Sequence, residues 1–513
     1  MLFGFAAIMV AQLEQPEPTF RAGTKLVEVD VVAQRNGAPA TGLSKDDFTL
    51  LDNGKKQTIA FFSARSQKTA GNATTPLPPG VFSNRVGRGA DAANTTIILL
   101  DQMNTPQTLQ VYAIARIAKF IESRHAADRI GIYTILGNGS LQVVEELTSN
   151  SDLLSRAVNS LKARDPHRRD SDTKGMTQHE AEGYAAIGIM GPALAVKGAL
   201  EQISRHLANV PGRKNVVWIT TAFPLYVLEL AIDCRPEMEK AARALNDANA
   251  ALSVVDARGL MGALDGLTAI SNAETPGPPR SASPRLVNML MQRGEPANPR
   301  GLDTEQMLSG LTGGLTFFNK SNALEESIQT AVNDGDPTYT LGFYPEESEQ
   351  DRTWHDLKIA VRRSGVSLRY RRNYLARREG DAADGRPTLE QLLKEPLDAT
   401  QLELRVSVAR DGARTGVLQV KVNVDLHNLE FKHENMRRLG AVDLAFHVEG
   451  TGGMTSKTVP IDIPDDQFAT FLEKGLNIAA SLDTTGGVEA FRVLVEDRTT
   501  GAAGSVTVPL PNR

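Results

Sequence analysis

Short apolar runs alternate with amphipathic helical stretches between residues 95 and 319, and this alternation constrains the fold more than any other feature. The runs are TTIILLD (95–101), RIGIYTIL (129–136), NVVWIT (215–220), ALSVVD (251–256) and LTFFN (315–319). Between them, stretches such as LQVYAIARIAKFIESRH repeat apolar residues every three or four positions. This alternation predicts a mostly parallel, doubly wound sheet with helices on both faces. The run LQVVEEL is the expected antiparallel edge strand.

The segment before this region, residues 19–66, predicts a small β unit. Val27, Val29 and Val31 alternate with polar residues, and FTLLDNGKKQTIAFF has the form of a hairpin closed at Asn53-Gly54. Strand character returns in residues 336–376, in YTLGFYP and WHDLKIAVRRSGVSLRYRRNYLA. Two or three strands rarely hold a core by themselves. We therefore expect 336–376 to pair with 19–66, with an α/β domain of residues 94–335 inserted between them.

The remaining segments predict linkers and a second β domain. Residues 67–93 and 377–389 lack apolar periodicity and are expected to be linkers. From 390 to 513, runs such as VLQVKVNVDL alternate apolar and polar residues, which predicts an all-β, sandwich-like domain. Two polar stretches of the α/β region, 163–180 and 271–285, are either functional loops or disordered segments. The predicted fold class is α/β plus all-β.

Composition excludes several classes of function. The chain has 513 residues, 61 of them acidic and 56 basic, and its formal net charge of -5 supplies no positive field to gather nucleic acid. No apolar run reaches the ~18 residues of a transmembrane helix, so none is expected. Cys234 is the only cysteine, which excludes an internal disulfide. Because the sequence supplies it no base, a buried, inert thiol is favoured over a nucleophile.

The first residues indicate export. MLFGFAAIMVAQLEQPEP, residues 1–18, begins with an apolar run followed by a polar, proline-bearing stretch, as in a secretory signal segment. The basic start of such a segment is missing, and Met9 is large for its place before a cut at Ala11. The alternatives are a true start further upstream and an ordinary apolar terminus. We expect a secreted, periplasmic or cell-envelope protein.

Several short motifs, taken in order, resemble one family. They are GLSKDDFTLLDNGKKQTIAFFS, LPPGVFSN, LLDQMNTP, PGRKNVVWIT, VVDARGL, TGGLTFFN and YTLGFYP. Together they resemble the secreted von Willebrand factor A-related proteins of the VWFA-related Acidobacterial domain family, over residues 25 to about 375. The resemblance implies a Rossmann-like von Willebrand A domain carried between β elements in an exported protein. It implies no activity that can be transferred to this chain.

The resemblance also directs attention to the stretch DQMNT after the first buried strand. A metal-binding von Willebrand A domain has D-x-S-x-S there, because Mg²⁺ prefers hard oxygen ligands. Asp101 and Thr105 match the ends of that motif, but Met103 replaces the middle serine and its thioether does not suit Mg²⁺. Thr220 or Thr221 stands where a later aspartate is usual. We expect a degraded site in which Asp101 caps the next helix or accepts loop amides. No cofactor is expected, and weak Mg²⁺ binding at Asp101 and Thr105 is the alternative.

The ends of the parallel strands define the expected working surface. The carboxyl ends of such strands meet at one edge of the sheet, where ligands bind. This edge is expected to gather small oxygen-bearing groups: Asp101, Asn104, Thr105, Thr220, Thr221 and Asp256. They include no pair of nucleophile and base. The sequence therefore predicts a non-enzymatic binding, adhesion or scaffold protein with a protein or glycan partner; the alternative is a cell-envelope, metal-dependent hydrolase with a site built from loops.

One basic run stands apart from that edge. RRSGVSLRYRRNYLARR, residues 362–378, interleaves arginine with aromatic and aliphatic residues, a pattern that binds nucleic acid or another anionic polymer in some proteins. The same pattern is typical of a strand with one buried and one solvated face. The negative net charge of the chain favours the second interpretation.

Overall fold

The structure is a computed structural model. It describes residues 26–36, 38–64, 77–85, 95–124, 128–162, 178–210, 214–221, 226–227, 232–257, 302–317, 324–332, 338–345, 354–375, 386–410, 416–448, 453–483 and 489–510. The candidate signal segment, the second polar stretch and most of the first lie outside the described residues.

The strands fall into four groups along the chain. Before the α/β region are β1 Val27–Arg35, β2 Ala38–Pro39, β3 Phe48–Asp52, β4 Lys55–Gln57, β5 Phe61–Ala64 and β6 Val81–Ser83. Within it are β7 Thr95–Asp101, β8 Arg129–Ile135, β9 Leu141–Thr148, β10 Lys214–Thr220, β11 Tyr226–Val227, β12 Ile232–Asp233, β13 Ala250–Asp256 and β14 Thr316–Phe317. After it come β15 Thr338–Phe343, β16 Trp354–Val361, β17 Val366–Arg369 and β18 Asn373–Leu375. The C-terminal group is β19 Leu404–Arg410, β20 Val417–Val424, β21 Lys432–Glu434, β22 Arg437–Val448, β23 Met454–Pro464, β24 Leu476–Asp483, β25 Ala490–Asp497 and β26 Ala503–Pro509.

The described helices lie mainly in the α/β region. They are α1 Gln107–Ser123, α2 Ser151–Lys162, α3 Gln178–Leu207, α4 Arg235–Asp247, α5 Leu302–Thr312 and α6 Leu324–Val332, followed by α7 Leu389–Lys394 and α8 Asp465–Lys474 in the C-terminal part. None of the helices in these ranges is both long enough and apolar enough to cross a bilayer.

The central sheet has six strands in the order β14-β13-β10-β7-β8-β9. Five run parallel, while β9 is antiparallel at one edge, which confirms the prediction for LQVVEEL. Every residue of β7, β10 and β13 is buried, because helices cover both faces. Side chains of α1, α2 and α6 form the core on one face, and those of α3, α4 and α5 form the core on the other. The mixed α/β architecture with antiparallel β units is therefore present.

Strands from both sides of the α/β region form a second body, here called the flanking β unit (β1–β5 and β15–β18). One sheet has the order β17-β1-β15-β5 and the other β18-β16-β3-β4, with all pairs antiparallel. Val29, Val31, Leu50, Leu341 and Phe343 are buried in a core that both sheets share. The hairpin between β3 and β4 turns at Asn53 and Gly54, as predicted. Their φ values of 45° and 82° are positive, and asparagine and glycine are the residues that adopt such values most readily.

The C-terminal unit also has two sheets around one core, with the orders β24-β20-β19-β6 and β21-β22-β25-β26, and with β23 beside β22. The prediction that this unit is all β was wrong, because α7 and α8 belong to it. The start of α8 carries Asp465 and Asp466, whose charges favour a helix N-terminus, and Gly475 follows its end with φ 73°. These local signals override the alternation around them.

The first predicted linker also contains structure. Within residues 67–93, β6 pairs antiparallel with β19 of the C-terminal unit. Asn84 follows it and is 7% exposed. Its Nδ2 donates to the carbonyls of Ala399 (2.7 Å) and Leu402 (2.8 Å), and its Oδ1 accepts from the Leu404 amide (2.7 Å). Residues 77–85 are therefore attached to the C-terminal unit both by strand pairing and by the three hydrogen bonds of the Asn84 side chain.

Helix α3 connects the central sheet to the C-terminal unit. At its end, the Arg205 guanidinium forms an ion pair with Glu395. His206 makes two contacts through its ring. Its Nδ1 lies 2.8 Å from the Asp398 carbonyl oxygen, and its Nε2 lies 3.4 Å from the carboxylate of Glu146 in β9. Beyond the helix, Asn209 donates to the carbonyl of Thr400 at 2.5 Å. The contact thus combines these polar links with Leu397, which is buried in the core beside α3.

Candidate functional site

Asp101, at the end of β7, has no exposed surface, and its carboxylate is surrounded by donors. Oδ1 accepts the backbone N–H of Asn104 at 2.9 Å. Oδ2 accepts Asn104 Nδ2 at 2.8 Å, Thr220 Oγ1 at 2.9 Å and Trp218 Nε1 at 3.3 Å. An ionised carboxylate offers about four acceptor sites, two on each oxygen. Three of the donors meet at Oδ2, and one binds Oδ1. Asp101 was expected either to cap the next helix or to accept loop amides. It accepts a loop amide, whereas the N-cap position of α1 is Pro106.

The loop from Gln102 to Thr105 is held from both sides. Gln110, on the buried face of α1, donates through Nε2 to the carbonyls of Gln102 (3.0 Å) and Thr105 (2.6 Å). Thr221 Oγ1, just after β10, donates to the carbonyl of Asn104. The Gln102 amide donates to Ile135 at the end of β8 at 2.9 Å. The loop is therefore tied to two neighbouring strands and to the following helix.

Met103 lies against the apolar core on the α3 face of the sheet. It is half-buried, and it approaches the turn at Gly139, where a Cβ would lie 3.7 Å from its sulfur and 3.0 Å from Ala195 Cβ. Gly139 has φ 85°, so both its conformation and this close approach require glycine. The residue in the middle position of the motif therefore contributes packing.

Burial raises the pKa of the Asp101 carboxyl above its usual value, and the hydrogen bonds from Asn104, Thr220 and Trp218 oppose that rise. Ionising the group inside the fold is costly, and the surrounding donors reduce that cost. The internal donors therefore stabilise the ionised carboxylate within the fold.

These residues do not fit a Mg²⁺ site. Mg²⁺ needs several oxygen ligands in near-octahedral geometry. Asp101 is already engaged, Met103 offers only a thioether that packs partly against the core, and Thr105 Oγ1 is the one oxygen of the motif that is buried without a hydrogen-bond partner among the described residues. In the same part of the chain, no group of three or more His, Cys, Asp or Glu side chains is placed to hold a metal. One hydroxyl does not make a magnesium centre.

The six residues expected at the carboxyl edge lie together but beneath the surface. Asp101, Asn104, Thr220 and Thr221 are joined by hydrogen bonds, and Asp256 stands opposite Thr220 in the sheet register. The largest exposed fraction in the set, including Thr105, is 8%. Their burial argues against the expectation that a partner contacts these side chains directly. Gln102 and Met103 of the same loop are half-buried, and the neighbouring turn at Gly139, which approaches Met103, carries the exposed Asn138 and Ser140.

Two residues of this cluster were not among the expected ones, Trp218 and Gln110. Trp218 is fully buried, and a buried indole N–H usually has a hydrogen-bond partner, which was a usable signal. Gln110 is a polar residue next to Leu109 on the apolar face of a helix, and a buried polar side chain is informative in the same way.

Cys234 and His206 do not form a catalytic pair of nucleophile and base. Cys234 is buried, as predicted, and burial with the nearby charges of Asp233 and Glu237 raises the pKa of its thiol to about 11. A thiol with so high a pKa is a poor nucleophile. His206 is held between Glu146 and the Asp398 carbonyl.

Comparisons with known proteins add little to this geometry. No protein-family model matches the chain, and none of the curated proteins matches it. Similar solved structures include an aerotolerance-related membrane protein from Bacteroides fragilis NCTC 9343 (14% identity, 47% of this chain, 99% of that chain, TM-score 0.28) and BatB from Bacteroides thetaiotaomicron (17%, 32%, 66%, TM-score 0.20). The SpRpn10 VWA domain is similar at 18% identity over 39% of this chain and 93% of that chain, with a TM-score of 0.18. Von Willebrand A domains are thus among the similar structures, at scores too low to support an argument about function.

Proposed function

We propose that the chain is an exported, non-enzymatic binding or scaffold protein whose von Willebrand A-like α/β unit recognises a protein or glycan at the carboxyl edge without a metal ion. The supporting observation is the closed hydrogen-bonding of Asp101. Its four internal donors make it a tie that fixes the loop after β7. The strand order of the central sheet and the motif LLDQMNTP support the von Willebrand A-like assignment.

The ties below the edge prepare a rigid surface above it. A loop that is fixed before binding loses little conformational entropy on binding. The groups it presents are the side chains of Gln102 and Met103, beside Asn138 and Ser140. These are neutral hydrogen-bonding groups around one thioether. They therefore suit a partner whose surface is neutral and polar, or mixed polar and apolar, better than a partner that offers a free carboxylate. Buried Asn104, Thr105 and Thr221 then act by positioning the loop.

The test is capture from the cell envelope. The immobilised full-length chain is exposed to envelope extract of the source cells, in EDTA and in Mg²⁺, beside the double variant Gln102→Lys, Ser140→Lys. A matched variant, Ser155→Lys, places an exposed lysine on α2, away from the edge. We expect at least one partner that the edge variant loses, that Ser155→Lys retains and that EDTA does not release. Partners retained by the edge variant, or lost in EDTA, contradict the proposal.

A further inference from the structure

The flanking β unit has a pocket at the corner where its two sheets separate. This corner pocket has a volume of about 290 Å³ and lies between the outer edge of β16 and strand β17. Val361, Val366 and Leu368 supply aliphatic walls, and Arg369 and Arg372 supply cations. The volume approaches the lower limit of ordinary ligand sites, about 300 Å³. A cavity with this lining suits an apolar group that is joined to an anionic one.

The stretch of sequence that lines the pocket carries charge of a single sign. From residue 358 to residue 372 the sequence contains six basic residues and no acidic one: Lys358, Arg362, Arg363, Arg369, Arg371 and Arg372. This cluster stands out in a chain whose net charge is -5. Neighbouring cations raise the local concentration of an anionic ligand and strengthen its binding.

Some of these arginines already form ion pairs or hydrogen bonds within the protein. Arg363 forms an ion pair with Asp47 at 3.1 Å, and Arg371 donates to the carbonyls of Glu28 (2.6 Å) and Asn246 (3.1 Å). Arg372, by contrast, is exposed, and its guanidinium makes no hydrogen bond or ion pair with any residue that the structure describes. Its five donors are therefore available at the rim of the pocket.

The pocket is also bordered by strand edges. In the described part of the chain, β17 pairs with β1 alone, so alternate residues of β17 direct backbone N–H and C=O groups away from the sheet. On β16, β18 covers only residues 354–356. Further along, the Tyr370 hydroxyl accepts the Ile359 amide (2.8 Å) and donates to the Ile359 carbonyl (3.2 Å), which closes that position. The open edge at the pocket is therefore that of β17.

An extended peptide satisfies all three features at once. Added beside β17, it would complete the exposed backbone hydrogen bonds, while alternate side chains enter the pocket or face the arginines. Charged residues on an edge strand also prevent unwanted pairing. That role needs charge on the strand, but it does not need a cavity with aliphatic side chains in its wall and an unengaged arginine guanidinium at its rim. We propose that the corner pocket binds an extended, acidic polypeptide segment by strand addition at β17.

The experiment uses the full chain and defined peptides. A fluorescein-labelled peptide that alternates glutamate and valine is titrated with the protein, and binding is followed by fluorescence anisotropy; the matched probe alternates lysine and valine. Two variants address the two parts of the pocket. Arg372→Glu reverses the free cation, and Ala360→Trp fills the cavity from an exposed position while leaving its charge unchanged. Arg410→Glu reverses an exposed arginine on β19 and serves as the control.

We expect the acidic peptide to bind and the basic peptide not to bind. Arg372→Glu and Ala360→Trp should each weaken binding at least tenfold, about 1.4 kcal/mol, while Arg410→Glu leaves it within about twofold. Three results overturn the proposal. They are the absence of acidic-peptide binding up to about 1 mM, an unchanged affinity in Ala360→Trp, and displacement of the peptide by a DNA oligonucleotide of equal charge at equal concentration, which would indicate a general polyanion surface.

Discussion

The carboxyl edge of the central sheet and the corner pocket of the flanking β unit are both polar, but they differ in what their polar groups have left to offer. At the edge, the carboxylate of Asp101 has no exposed surface and accepts four internal hydrogen bonds. At the corner, Arg372 is exposed, and its guanidinium has no hydrogen-bond or ion-pair partner among the described residues. The Asp101 carboxylate is therefore engaged within the fold, whereas the Arg372 guanidinium has donors that no described residue uses.

The largest effect expected from this contrast is on stability. Asp101→Ala removes the buried acceptor of hydrogen bonds from Asn104, Trp218 and Thr220, so we expect the free energy of unfolding to fall by about 3 kcal/mol. Arg372→Glu should change it by less than about 0.5 kcal/mol, because an exposed side chain with no partner is altered. Urea unfolding of both variants measures the difference. Equal losses would show that the edge is no more closed than the corner.

A second buried polar side chain, Asn84, is expected to show the same contrast with a smaller effect on stability. Asn84→Ala removes three hydrogen bonds that attach the segment after β6 to the C-terminal unit, so we expect a loss of about 2 kcal/mol. Amide hydrogen exchange should speed up in β6 and β19. Asn138→Ala, in an exposed turn, is the matched change and should leave those amides unaffected. If β6 keeps its protection in Asn84→Ala, the side chain is not what holds the segment.

The strands show where the sequence was sufficient to predict the fold and where it was not. The buried runs predicted β7 and β13 closely, since apolar β-branched residues bounded by polar turns determine such strands locally. Strand β6 was missed because it has only three residues in a proline- and glycine-rich stretch, and its partner β19 is more than 300 residues away. Pairing at that distance leaves no local pattern to read.

The candidate site divides in the same way. Parallel strands placed Asp101 and Thr220 near each other, because their carboxyl ends share one edge. Their burial did not follow from position, since it depends on how Gln110, Trp218 and Met103 fill the space around the loop. Motif spacing records which residue types follow a strand. It does not record how many internal donors each side chain meets.

The smallest expected effect concerns pH, at the contact between α3 and the C-terminal unit. Burial lowers the pKa of His206, but the hydrogen bond and charge of Glu146, together with the Asp398 carbonyl, outweigh this and leave that pKa above its usual value. The protonated form is thus favoured by folding. Its stabilising contribution is complete below the ordinary histidine pKa of about 6.5 and is lost as pH rises through the higher folded value.

Unfolding curves recorded from about pH 6 to about pH 8 check this sign. The wild-type chain should lose a component of stability as pH rises, and His206→Gln should lack that component because glutamine does not titrate in this range. A pH dependence that is unchanged in His206→Gln would assign it to another group.

The most direct test of the closed edge is thermal unfolding of the full-length chain in EDTA and in millimolar Mg²⁺. A ligand that binds the folded state raises the melting temperature by mass action. Because Asp101 already accepts four internal hydrogen bonds and Met103 offers only a soft thioether, we expect the same melting temperature in both solutions. A rise with Mg²⁺ that Thr105→Val abolishes would contradict this, since it would show that the Thr105 hydroxyl completes a working metal site at the edge.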